Sequence, residues 1–247
     1  MRRLFLSLQY DGTHFKGWQK QPGERTIQSE IEAGLTKLNG GKKIEIVGCG
    51  RTDTGVHATN YFAHFDYSGE LKNSQICYKL NSILPVDIAI LKVVEVDNEA
   101  HARFDANKRT YHYYLHQQKN PFIKEHSLYF RRDLDFSKMN RACKHLLGRK
   151  DFTSFSKLHT DVKNNFCTVY NAQWIQSENG WKFEISANRF LRNMVRAIVG
   201  TLLEVGLNNL TEKDFIDIIE AKNRSSAGAS VPPQGLFLAQ IEYPFKL

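Results

Sequence analysis

No stretch of the 247-residue chain comes near the roughly 18 apolar residues that a membrane span requires. The opening run from Met1 to Gly12 starts with positive charge, but its apolar part, Leu4 to Leu8, is too short for a secretory h-region. Cysteine is scarce. Cys49, Cys77, Cys143 and Cys167 stand far apart with no Cys-x-x-Cys, which excludes a zinc ribbon and a disulfide framework and leaves reduced thiols. A cytoplasmic location is the expectation, and the triplets at Asn209 and Asn223 then carry no glycosylation meaning. Acidic residues are in deficit: 26 Asp plus Glu face 34 Lys plus Arg, a net charge of +8. Hydrophobic residues at 41% and charged residues at 24% exclude wholesale disorder. The surplus points either to a polyanionic partner, nucleic acid being the commonest, or to a solvated basic face.

What is present parses into alternating elements. Leu4, Leu6, Leu8 and Tyr10 recur with a strand period, and Asp11-Gly12 ends the run. Thr26 caps a helix carrying Ile27, Ile31, Leu35 and Leu38, stopped by Gly40-Gly41. Ile44, Ile46 and Val47 predict a strand, and Tyr61 to Tyr67 another. A second helix carries Leu71, Ile76, Leu80 and Leu84 and stops at Pro85, and Ile88 to Val96 reads as a strand. The order is βαββαβ, the ferredoxin-like arrangement. The second half repeats it. An aromatic strand runs from Arg109 to Gln117, with a short one near Leu128 to Arg131. A helix from Phe136 to Leu147 closes at Gly148. A hairpin turns at Asn179-Gly180, helices span Leu191 to Val205 and the stretch after Thr211, and a last strand covers Leu236 to Tyr243. The predicted fold class is α+β: two ferredoxin-like, RRM-like βαββαβ halves, residues 1–105 and 106–247, whose antiparallel sheets join around a central cleft.

Gly48-Cys-Gly-Arg-Thr-Asp-Thr-Gly-Val-His-Ala58 is the densest run of chemistry-bearing residues. Gly50 and Gly55 have P-loop spacing, but Val56-His57 replaces the required Lys-Ser/Thr, so the phosphate lysine and magnesium ligand are missing. Asp53 occupies the place of a dinucleotide fingerprint's third glycine and would repel a pyrophosphate. What remains is one carboxylate, Asp53, two residues after Arg51. It reads as a nucleophile or general base kept ionised by the arginine, or as a structural Asp–Arg pair.

Gly50-Arg-Thr-Asp-Thr-Gly-Val-His-Ala58 closely resembles the signature of the tRNA pseudouridine synthase A family. Further blocks resemble the same family in order along nearly the whole chain. They are Tyr10 to Gln19, Thr26 to Gln28, His101 to Phe104, Lys108 to Tyr113, Asp151 to Phe155, Phe190 to Thr201 and Gly235 to Leu238. The resemblance implies conversion of uridine to pseudouridine in the anticodon arm of tRNA, at tRNA positions 38, 39 and 40, with no cofactor and no metal. It also implies a homodimer and a fold of two ferredoxin-like halves. It places the catalytic aspartate on Asp53. Arg51 would help to hold the target nucleotide flipped out, as the chemistry requires. The active-site tyrosine falls on Tyr111, which would stack on the uracil, and the arginine of the C-terminal helix falls on Arg196, which would pair with Asp53. Leu236 would form an apolar wall against the base. Tyr113 shares the strand parity of Tyr111, so parity does not choose between them; the resemblance does. At 100° per residue Arg189, Arg192 and Arg196 fall within roughly 60° of one another on the predicted helix. This assigns Arg189 and Arg192 to RNA phosphates or to a solvated face. Arg103, Lys108, Arg109, Arg141, Lys144, Arg149 and Lys150 are further phosphate candidates, and Trp18 reads as structural. The chain departs from the family pattern at Thr54, where alanine is usual, at Lys157 to Asn165, and at Ser230 to Pro233.

Overall fold

A computed structural model describes residues 1–157 and 164–247. Most of the divergent Lys157 to Asn165 segment thus lies outside the described residues. The architecture is mixed α and β with mostly antiparallel strand pairing. Two compact units are found: Met1–Asn107 with Phe237–Leu247, and Lys108–Leu236. Relative to a division into 1–105 and 106–247, the last strand groups with the first unit.

In the first unit, β1 (Arg2–Tyr10) lies between two antiparallel neighbours, β3 (His57–Tyr67) and β4 (Ile88–Val96). Register pairs Leu4 with Phe65, Leu6 with Ala63 and Leu8 with Tyr61, so the residues of period two meet on one face. All six are buried. Helix α1 (Ile27–Leu38) starts at Thr26, whose side chain accepts from Ser29 N while Ser29 Oγ accepts from Thr26 N. Its Ile27, Ile31 and Leu35 are fully buried, as are Ile76 and Leu80 of α2 (Asn73–Ile83). Each such side chain contributes about 1.5–3 kcal/mol through apolar burial.

The strand expected from Ile44 to Val47 shrinks to β2 (Val47–Gly48), which pairs with β3. The backbone before it bonds elsewhere. Ile44 N donates to Thr36 Oγ1, and Ile46 N donates to the buried Glu32 carboxylate, which also receives Lys20 and Gln28. Ile44 and Ile46 are buried, so their hydrophobic pattern is real but serves packing against α1 rather than a ladder. The last strand, β10 (Leu236–Glu242), runs parallel to β3, with Phe237 opposite His57.

In the second unit the strands run in the order β5 (Lys108–His116), β9 (Gly180–Ala187), β8 (Phe166–Ser177), β7 (Gly148–Asp151), all antiparallel. The two-residue β6 (Leu128–Tyr129) pairs with β5 in parallel. The hairpin between β8 and β9 closes with Ser177 opposite Gly180. Strand β7 escapes a pattern search because its four residues include no apolar alternation. Helices α3 (Phe136–Cys143), α4 (Met194–Gly206) and α5 (Glu212–Ala221) complete the unit, α5 being closed by the Thr211–Asp214 capping box. Of the 13 residues of α4 only Arg196 and Glu204 are not buried. Among the described residues, no helix is long and apolar enough to cross a membrane.

Candidate active site

The loop that leads into β3 carries Asp53, and its shape is imposed from below by the segment that follows β1. Trp18 N donates to Thr52 O (3.2 Å), Gly55 N to Phe15 O (3.4 Å), and Val56 N closes a turn onto Asp53 O (3.1 Å). The buried Tyr10 hydroxyl lies 2.8 Å from Thr52 Oγ1. Gly12 N donates to His57 Nδ1 at 3.1 Å, and the His57 ring stacks on Phe237. Two glycines are obligatory at these crossings. A Cβ on Gly12 would fall on the Val56 carbonyl oxygen. One on Gly17, where φ is 84°, would fall on the Thr52 carbonyl oxygen. Trp18 is buried and stacks on Tyr61 with ring centroids 4.1 Å apart, which makes it part of the loop's floor. The result is a Thr52 locked in the core, a half-buried Asp53, and Arg51 and Thr54 facing solvent.

The loop's supports, Tyr10, Gly12, Gly17 and His57, lie outside the candidate residues read from the sequence. The crowding of glycine and aromatic residues between Tyr10 and Trp18 marks that segment as tightly packed, but not what it packs against.

The second unit holds the remaining candidates. Tyr111 stands in the middle of β5 opposite Ile185, half-buried, its ring edge-on to Phe190 at 5.1 Å. Tyr113 shares its face but is fully buried and donates to Pro232 O at 2.9 Å. Burial drives the Tyr113 phenol far above the ordinary range, with Arg196 opposing the shift. Burial thus separates two tyrosines that parity leaves equivalent. Arg196 occupies the first turn of α4. Its Nε donates to Val231 O (2.8 Å), and Val231 N donates back to Arg196 O (3.2 Å). Leu236 is buried at the start of β10.

One expectation is corrected. Arg189 and Arg192 do not share a helical face with Arg196, because α4 begins only at Met194. Asn193 sits in the left-handed region at φ 66°, which breaks any helix before it. Arg189 follows the end of β9, and Arg192 is exposed in the connection, its carbonyl accepting from Lys157 N. The divergent run Ser230 to Pro233 is braced at several points. Asn193 Nδ2 and Arg224 Nη2 donate to Ser230 Oγ, and Arg196 and Tyr113 hold the next two carbonyls.

What the first unit holds is a half-buried carboxylate on a glycine-crossed loop of a basic chain, without the lysine of a phosphate-binding loop, an arrangement that could serve carboxylate chemistry on a polyanion. Comparison with known sequences makes the class specific. The family model described as tRNA pseudouridine synthase matches residues 7–105 and 142–244, and the chain belongs to that family. A tRNA pseudouridine synthase A of Bacteroides fragilis is 52% identical over 99% of this chain and 97% of its own length. That of Parabacteroides distasonis is 52% identical over 100% and 98%, and that of Bacillus subtilis 39% identical over 98% and 99%. The activity is therefore the isomerisation of uridine to pseudouridine in tRNA.

Proposed function

We propose that this synthase acts in the anticodon arm of tRNA, at positions 38, 39 and 40, with Asp53 as its catalytic residue. The observation that carries the assignment is the braced loop. Backbone and side-chain contacts from Tyr10 to Trp18 fix the residues on either side of Asp53, and catalysis needs such preorganisation. The reaction keeps every atom. The bond between N1 and C1′ breaks, a bond between C5 and C1′ forms, the proton at C5 leaves and one arrives at N1. A carboxylate can serve as nucleophile or as base in that sequence. Arg51 holds the flipped nucleotide, Tyr111 stacks on the uracil, Leu236 forms an apolar wall, and Arg196 supports the Asp53 carboxylate electrostatically. Arg189 and Arg192 contact phosphates, now as residues of a connection rather than of a helix face.

We read residues 1–105 and 106–247 as ferredoxin-like halves joined around a central cleft. In the first, the order β4-β1-β3-β2 supports the reading. The enzyme is assigned to the cytoplasm as a homodimer that needs neither metal nor cofactor. The dimer and the absence of metal and cofactor rest on the family resemblance, and the location rests on the cysteine pattern.

The test is to map pseudouridine in an unmodified tRNA transcript incubated with the wild-type protein and with Asp53→Ala. Modification confined to the anticodon arm by the wild type, none by the variant, and tRNA binding retained by both is the expected outcome. Residual turnover by Asp53→Ala would remove the catalytic assignment, and modification elsewhere would remove the positional one.

A further inference from the structure

Among the described residues several large apolar side chains are exposed, and Phe104 is set apart by the rigid support that holds its ring out to solvent. Phe104 is 75% exposed. It stands at the tip of a turn that is tied down at nearly every backbone group. His101 N donates to Asp105 Oδ2 (2.7 Å), and Asp105 N donates to His101 O (3.1 Å). Arg103 N and Phe104 N both donate to His101 Nδ1, at 3.1 and 3.2 Å. Beneath them, Ala102 is fully buried, its N donating to His64 Nδ1 (3.1 Å) and its carbonyl accepting from the Tyr243 hydroxyl (2.6 Å). The His101 ring stacks on Phe104 with centroids 4.2 Å apart, and the exposed Arg103 guanidinium lies 5.9 Å from the ring centre.

We propose that Phe104 is a stacking platform for an unpaired base of the tRNA substrate. Three physical arguments converge on a base. The ring is presented at low entropic cost, because its backbone is fixed before anything binds. Its immediate neighbour is a cation, on a chain with a net charge of +8, which suits a polyanion and opposes an apolar protein surface. And an exposed aromatic ring, backed on one side by His101, fits single-stranded RNA, whose bases can be splayed out, whereas bases inside a duplex are already stacked on each other. Extruding a uridine for isomerisation unstacks its neighbours and so creates such a base. The proposal rests on tRNA being the substrate and is independent of the role of Asp53.

Equilibrium binding of an unmodified tRNA transcript to the full-length protein tests it, with Phe104 changed to Ala, Leu, Tyr and Trp. All four proteins should melt within a few degrees of wild type, since the turn is tied by backbone groups and by the His101 and Asp105 side chains, and the ring adds only its stack on His101. Phe104→Ala and Phe104→Leu should each bind tRNA about tenfold more weakly, while Phe104→Tyr and Phe104→Trp stay within about threefold of wild type. The same ranking should hold in an Asp53→Ala background, whether or not that variant turns over, so the outcome does not depend on the catalytic assignment. Wild-type affinity in Phe104→Ala, or full affinity in Phe104→Leu, overturns the stacking role. A change of oligomeric state in Phe104→Ala, read by sedimentation, also overturns it and makes the ring a protein contact.

Discussion

The two units hold the residues proposed for the site by different means. In the first, Asp53 stands outside any strand or helix, and its position depends on contacts from the segment between Tyr10 and Trp18. In the second, Tyr111 sits in mid-strand and Arg196 in the first turn of a buried helix, where ladder and helix hydrogen bonds do the positioning. The contrast says where each half is vulnerable. The loop can be deformed by residues that never meet the substrate, whereas β5 and α4 share their load among many equivalent bonds.

The largest effect expected from this contrast follows from Gly17→Ala. The new Cβ meets the Thr52 carbonyl oxygen, one residue from Asp53, at a backbone angle that an L side chain rarely adopts. The strain costs up to about 3 kcal/mol of stability. A shift of the loop by an ångström lowers kcat/KM by about 100-fold. Chemical denaturation and steady-state pseudouridine formation measure the two parts. An Ala variant with wild-type turnover would show that the loop adjusts freely and would erase the distinction between the units.

The same contrast governs what the sequence could disclose. Register and burial in β1 and β3 were legible because Leu4, Leu6, Leu8 and the run from Tyr61 to Tyr67 repeat at two residues, and one face is buried. The capped helices at Thr26 and Thr211 were legible for an equally local reason. Ile44 and Ile46 misled because hydrophobic pattern reports burial, while strand formation depends on where the amides find acceptors, here Thr36 and Glu32. The start of α4 misled because one left-handed residue, Asn193, ends a helix that periodicity alone would extend back to Leu191. Around the site, the identity of the loop was plain in its residues. Its supports were not, because Tyr10 and Thr52 are neighbours only in space.

A second difference concerns protons. The first unit uses imidazoles as acceptors for turn amides, His64 for Ala102 and His101 for Arg103 and Phe104. In the second unit three described histidines meet side chains instead, His112 on Glu184, His116 near Ser127 and His145 on Glu212. Burial lowers the His64 pKa from its ordinary 6.5 to about 4, with nearby His101 and Arg3 adding to the effect. The folded state thus takes up this proton later than the unfolded state as pH falls. The stability is complete above about pH 6.5 and is lost as pH drops through 4, because the unfolded chain then binds more protons. Between pH 7 and pH 4 the wild type should lose about 3 kcal/mol more than His64→Gln, which offers an acceptor without titrating. Urea denaturation of both proteins across that range measures the difference, and parallel pH profiles would remove His64 from the account.

The smallest effect separates positioning from stability. Tyr10 and Tyr113 are both buried and each makes a hydroxyl contact, Tyr10 with Thr52 at 2.8 Å and Tyr113 with Pro232 at 2.9 Å. Changing either to Phe keeps the ring and its packing and removes one hydrogen bond, a loss of about 1 kcal/mol in each case. The consequences for turnover should differ. Thr52 adjoins Asp53, so Tyr10→Phe lets the loop relax where the chemistry is proposed to occur. It should lower kcat about tenfold, roughly 1.4 kcal/mol of transition-state stabilisation, with KM unchanged because Tyr10 lies beneath the loop. The run from Ser230 to Pro232 keeps its bonds to Asn193, Arg196 and Arg224 when Tyr113 loses its hydroxyl, so Tyr113→Phe should leave kcat within about threefold of wild type. Equal losses of stability with unequal losses of kcat would establish that the loop is held by a few irreplaceable contacts and the second unit by many shared ones; equal losses of both would break the comparison.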